Sequence, residues 1–161
     1  MNSIKLRAVS SALMAAALLA AGAAQANDSV SVTVNATVVG VCKFFTSSPV
    51  LNITNTGSGS NIDPSLAGPA TGSVDITYRC SNGTSPSFTV PATATVTCTT
   101  AGTCGSSTMA PTITSSNTGA GTGLGSGKDQ TLTVNGQITQ ANYQNAQVGS
   151  YSGSMTVSVT P

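Results

Sequence analysis

Histidine, tryptophan and glutamate are missing from this 161-residue chain, and only 6% of its residues carry charge. Without histidine there is no Ser/His/Asp or Cys/His arrangement to activate a nucleophile and no imidazole for general acid–base work. The carboxylates are Asp28, Asp63, Asp75 and Asp129, scattered along the chain, and they read as polar surface rather than as a catalytic pair. These absences argue against an enzyme and against any cofactor. A metal site is disfavoured for the same reason, since the cysteines do not form paired C-x-x-C knuckles. Bases are equally few. After the first 26 residues only Lys43, Arg79 and Lys128 remain, against the four aspartates, which leaves one net negative charge. Separated along the sequence, they lack the clustered positive field that phosphate backbones need, so no nucleic-acid partner is expected. No apolar run after the amino-terminal region is long enough to span a bilayer.

What is present begins with an address label. Lys5 and Arg7 precede a small, apolar run over residues 11–23, and Ala24-Gln25-Ala26 forms an A-x-A cleavage site. The reading is a signal peptide over 1–26, export, and a mature chain opening at Asn27. That chain is dominated by Thr, Ser, Gly, Asn and Val, with little of the Leu, Lys and Arg that favour helices. An exported all-β domain is expected. In that setting four cysteines imply disulfides. Of the three possible pairings, Cys42 with Cys80 and Cys98 with Cys104 is preferred, because the second pair closes a short Gly-containing loop with little strain.

The clearest alternation opens the mature chain. In an extended segment Val30, Val32, Val34, Ala36 and Val38 point one way, and Ser29, Ser31, Thr33, Asn35 and Thr37 the other. Such a strand requires a hydrophobic groove on one side. The pattern alone leaves two owners for that groove, the chain's own sandwich or a neighbouring molecule. Loss of phase at Val38-Val39, followed by Gly40, suggests a joint between this arm and the body.

The body reads as short strands between turn-rich loops. Residues 50–53 are a brief apolar segment, and a loop loaded with Gly, Ser and Pro follows over 55–70. Ser73-Val-Asp-Ile-Thr-Tyr-Arg-Cys80 alternates, with Val74, Ile76, Tyr78 and Cys80 inward. Ser81-Asn-Gly-Thr84 signals a turn, and Ser87-Phe-Thr-Val90 is read as the returning strand of a hairpin or near-hairpin, with Thr93 to Val96 as its extension beyond Pro91, which suggests an edge or a bend. Between Gly105 and Gly127 at most one weak strand is expected. Residues 130–138 alternate through Leu132, Val134 and Ile138, with Gly136 holding the phase, and 140–149 is a polar connector. The last strand is read over Gly149 to Val159, with Tyr151, Met155, Val157 and Val159 on one face. No helical stretch is expected, and the whole suggests an immunoglobulin-like antiparallel β-sandwich.

Two tempting motifs are set aside. Residues 119–127 followed by Lys128 resemble a phosphate loop, but the spacing misses that pattern by one residue, and Asp129 stands where Ser or Thr should bind the metal. The segment is read as a flexible loop. Sequons at Asn27, Asn35, Asn52 and Asn82 match chance in a chain so rich in Asn, Ser and Thr, and a glycan at Asn35 would crowd an inserted strand.

Taken with the arm and Cys42, the stretch from Ser73 through Cys80 to Val90 and the closing Ala-Gln-Val-Gly-Ser-Tyr-Ser-Gly-Ser-Met-Thr-Val-Ser-Val resemble the spore coat protein U domain family. That family includes pilin subunits of archaic chaperone-usher pili. The resemblance covers essentially the whole mature chain and is most specific around Cys80 and at Gly149-Ser-Tyr151, which is similar to the family's Gly-x-Tyr-x-Asp/Gly-x-hydrophobic pattern. It implies an incomplete sandwich that lacks its seventh strand, with residues 27–39 as a donor strand and 40–161 as the pilin body. Val30, Val32, Val34, Ala36 and Val38 then plug a groove whose candidate walls are Val74, Ile76, Tyr78, Met155, Val157 and Val159. The implied partners are a periplasmic chaperone, an outer-membrane usher and further pilin subunits in a head-to-tail polymer, and the implied place is a surface pilus used in adhesion and biofilm growth. The chain departs from the family in ending at Pro161, where many of these pilins end in an aromatic residue, and in its Cys98–Cys104 pair. The alternative is a self-contained secreted β-sandwich, a coat or binding protein whose first strand completes its own sheet.

Overall fold

Two long strands with strict alternation organise the body. In the computed structural model, which describes residues 29–161, β2 (Ala70–Cys80) and β7 (Gln130–Ile138) run antiparallel with Val74 opposite Val134 and Ile76 opposite Leu132. Paired residues share a face, so each such pair presents two apolar side chains to the same layer. The expected signal peptide and the first two residues after it lie outside the described residues. Val38 to Pro161 form one compact unit.

The remaining strands are β1 (Cys42–Phe44), β3 (Ser87–Thr89), β4 (Val96–Cys98), β5 (Thr108–Met109), β6 (Thr112–Asn117), β8 (Tyr151–Ser152) and β9 (Ser158–Thr160). They form a four-stranded sheet ordered β1-β2-β7-β6, a pair β3-β9, and a three-stranded sheet β5-β4-β8. Every pairing is antiparallel, and among the described residues the only helix is a single turn, α1 (Gln140–Tyr143). The protein is all-β.

The inner face of the large sheet supplies a buried cluster of Ile76, Tyr78, Cys80, Ile113, Leu132 and Val134. Half-buried apolar residues from the smaller sheets and their connections cover it, among them Phe88, Val90, Ala94, Met155 and Val157. Tyr78 meets Phe88 edge to face, with ring centroids 4.8 Å apart, an arrangement that adds to the burial of both rings. A second cluster, Ala70, Met109, Ile138 and Tyr143, fills the other end of the body. Disulfides join Cys42 to Cys80, which are also register partners, and Cys98 to Cys104 within the β4–β5 connection.

Several expectations need correction. Ser87–Thr89 does not return along β2 as a hairpin, because β1 and β7 already occupy both edges of β2, and β3 pairs with β9 instead. The Ser- and Thr-rich stretch after Gly105 holds two strands, β5 and β6. Its weak intrinsic pattern is overridden by pairing to β4 and β7 and by burial of Met109 and Ile113. The last strand is divided into β8 and β9, with 153–157 outside any strand. Its partner is divided too, since Pro91 separates β3 from β4 and cannot donate to a ladder. One helical turn interrupts the connector at 140–143. The loop over 119–129 is tied down, not free: Gly121 N donates to Thr84 O at 2.6 Å, Gly83 N to Gly121 O at 2.9 Å and Gly123 N to Cys80 O at 2.9 Å.

Candidate functional site

A missing pair of side chains opens the site. Gly72 and Gly136 face each other across β2 and β7, and the space they leave is crossed by the segment at 50–54. A Cβ at Gly136 would lie 2.8 Å from Leu51 Cδ2 and 2.9 Å from Ile53 Cδ1, and one at Gly72 would collide with the Asn52 backbone carbonyl. The segment leaves the sheet after Phe45, whose N donates to Thr77 O at 2.8 Å, and rejoins it only at Thr54, which exchanges bonds of 3.0 and 2.9 Å with Thr71. Leu51 thus packs on the first cluster and Ile53 on the second, so the segment bridges the two.

Opposite that segment, the chain approaching β8 forms the other wall. Between them lies a cavity of about 530 Å3 with a mixed lining: Leu51, Ile53, Val96, Met109, Ile138 and Tyr143 are apolar or aromatic, and Asn52, Ser60, Asn61, Gln147 and Ser150 are polar. Val148, in its lining, is 82% exposed, so apolar surface continues from the cavity onto the rim. Open backbone edges remain on β1, β8 and β9, of which β8 borders this cleft and β1 and β9 lie toward the Cys42–Cys80 end. Among the described residues β1 pairs only with β2, β8 only with β4 and β9 only with β3, while β1 and β9 approach each other with no ladder between them. Each open edge presents N–H and C=O groups that another strand can bond.

Anchors on either side hold this cleft in shape. Tyr143 is buried, its hydroxyl accepts from Asn55 Nδ2 at 3.0 Å, and it has the Leu66 and Gly68 carbonyls at 2.9 and 2.5 Å as acceptors for its one proton. Asn55 Oδ1 accepts from Asp63 N at 2.6 Å. The loop at 55–69 is therefore fixed through two buried polar side chains that satisfy one another, the usual condition for burying them. Asp63 accepts from the Ser65 hydroxyl at 2.7 Å and the Ser65 amide at 2.9 Å, and these bonds hold its carboxyl below the ordinary aspartate range. On the other side, Thr99 N donates to Ser150 O at 2.7 Å and Ser150 N to Thr100 Oγ1 at 2.8 Å, so the loop closed by Cys98–Cys104 grips the approach to β8. Gly149 is required there because a Cβ would fall 2.6 Å from Cys104 Sγ.

The residues read from the sequence as groove walls fall around the first cluster, not in the cavity itself. Ile76 and Tyr78 are buried in its floor, Val74, Met155 and Val157 pack on it half-buried, and Val159 is also half-buried, directly opposite Phe88. Cavity residues Leu51, Ile53, Met109, Ile138 and Tyr143 were not assigned as walls. Leu51 and Ile53 carried a signal, being alternate apolar residues in a short run, whereas Tyr143 stood in a polar connector and carried none.

Residues 29–37 have no strand assignment, and their side chains are exposed: Val30 86%, Val32 75%, Val34 86%. Ala36 is exposed as well, and Val38, at the edge of the body, is 90% exposed. Among the described residues no group of His, Cys, Asp or Glu is arranged to hold a metal ion, and no helix is long and apolar enough to cross a membrane. Comparison with protein-family models, with curated proteins and with solved structures gave no match.

Proposed function

We propose that this chain is a structural pilin subunit of the archaic chaperone-usher type, related to the spore coat protein U domain family, and that it polymerises by donating its amino-terminal arm to the cleft of another copy. The observation that carries this reading is the presence in one chain of an exposed arm with alternating valines and of a body with unpaired strand edges on β1, β8 and β9, with a partly apolar cleft beside β8. The strand order supports it. With β1 taken as strand A, and with β3/β4 and β8/β9 each taken as one broken strand, the order A-B-E-D and C′-C-F is in keeping with an immunoglobulin layout that lacks a final strand beside F. A donated strand supplies that neighbour, its main chain bonding to the open edges while alternate side chains enter the apolar space. The contact is head to tail and does not close on itself, so it propagates into a fibre. During export a periplasmic chaperone fills the cleft until an outer-membrane usher exchanges it for the next arm, and the product is a surface pilus serving attachment and biofilm growth.

The rival, a self-contained secreted sandwich, requires the arm valines to be covered within their own chain. Deleting residues 27–38 and co-expressing the remainder with a chaperone of this type tests the choice. A pilin body stays chaperone-bound and soluble yet forms no polymer. Loss of the fold, with no chaperone complex, would establish the self-contained domain instead.

A further inference from the structure

The fold gathers charges that the sequence scatters. Lys43 and Arg79 are register partners on β1 and β2, so both leave the outer face of the large sheet side by side. The Arg79 guanidinium lies 2.5 Å from Asp129 Oδ1 and 4.3 Å from the Phe45 ring centroid, which fixes it in place. Lys128, exposed, immediately precedes Asp129. All three cations of residues 29–161 therefore occupy one end of the body, where Arg79 is ion-paired with Asp129. Asp75 stands further back along β2, bonded by the Thr133 hydroxyl. Asp63 belongs to the opposite end, because its loop is fastened at Thr54–Thr71 and at Tyr143, beside the Ala70–Ile138 pair. With 11 residues in β2, the two ends are roughly 33 Å apart.

The arm joins the body at the cationic end. Gly40 lies against Thr84 and Pro161, and Ser81 N donates to Val41 O at 2.9 Å, next to the Cys42–Cys80 pair. The cleft, by contrast, opens beside the Asp63 loop, since Asn61, Ile62 and Pro64 line its cavity. When an arm enters a cleft, its carboxyl end carries the donor's cations to one end of the acceptor. At one end they meet Asp63, and at the other they meet the acceptor's own three cations.

Resting on the pilin reading above, we propose that the Lys43–Arg79–Lys128 end of one copy docks on the Asp63 loop of the next, so that the partner surface is a second copy of this chain and ion pairing sets how successive bodies abut. Charge complementarity of this kind raises the rate of productive encounter and penalises the reversed approach. The contact works within about 8 Å at physiological salt and weakens as salt rises.

Growth of polymer from full-length subunits, followed by light scattering at low salt and at about 0.3 M NaCl, tests the contact. The variants are Asp63→Lys, the pair Lys43→Asp/Lys128→Asp, and all three together. Reversal at either end alone should slow growth about tenfold at low salt, the triple exchange should restore most of it, and high salt should level the set. Polymer that forms at rates within about twofold for every variant and salt overturns the ion contact and leaves strand donation standing. Slowing by the lysine changes with no effect of Asp63→Lys also overturns it and assigns the cations to an anionic partner other than this chain. Wild-type subunits that form no polymer at any salt refute the pilin reading, and this contact with it.

Discussion

Replacing Val34 with aspartate is the sharpest probe of the arm, because the neighbouring Thr33→Asp supplies the matched control. In an extended strand the two side chains leave opposite faces, so the same charge is delivered to the cleft in one variant and to solvent in the other. Val34 is 86% exposed in the single chain, and nearly all of its side chain is available for transfer from water. Burying a valine contributes about 1.5 to 3 kcal/mol, and that gain is lost on substitution. A carboxylate forced into an apolar cleft without a partner costs about 2 kcal/mol or more in addition, whether it stays charged or takes up a proton. The sum is about 4 kcal/mol, which is roughly a thousandfold in the subunit–subunit equilibrium. Thr33→Asp should change it by less than about 0.5 kcal/mol, the usual range for a solvent-facing site. Polymer yield by sedimentation, with subunit–chaperone complex as the reference for folding, measures both. Equal loss at the two positions, or polymer of normal yield from Val34→Asp, would refute the reasoning.

Removal of the two disulfides should rank by loop length. Cys42→Ala/Cys80→Ala opens a separation of 38 residues and should cost about 4 kcal/mol, whereas Cys98→Ala/Cys104→Ala opens 6 and should cost about 2 kcal/mol, read from urea midpoints at constant slope. Of the paired glycines, Gly72→Ala should destabilise more than Gly136→Ala, because the first added methyl meets the Asn52 backbone and the second meets movable ends of Leu51 and Ile53. Overpacking of this kind costs about 1 to 3 kcal/mol, and thermal unfolding of the two variants compares them. Tyr143→Phe leaves the buried Asn55 amide without its acceptor, so a loss of about 1 to 3 kcal/mol is expected, with proteolysis appearing first in the 55–69 loop.

Period-two alternation fixed the two organising strands from the local order of residues, since a residue's face in an extended chain depends only on its parity. Val74, Ile76, Tyr78 and Cys80 on β2, and Leu132, Val134 and Ile138 on β7, were legible for that reason. The scarcity of helix formers set the all-β class, and the spacing of Cys98 and Cys104 pointed to a local bridge. Parity is silent on which strand lies beside which. Only tertiary packing sent Ser87–Thr89 to β9, made strands of Thr108–Met109 and Thr112–Asn117, and divided the last strand where its partner breaks at Pro91. It alone brought Lys43, Arg79 and Lys128 to one end and placed Tyr143 under the 55–69 loop, because those neighbours are set by long-range closure of the sheets and leave no trace in local pattern.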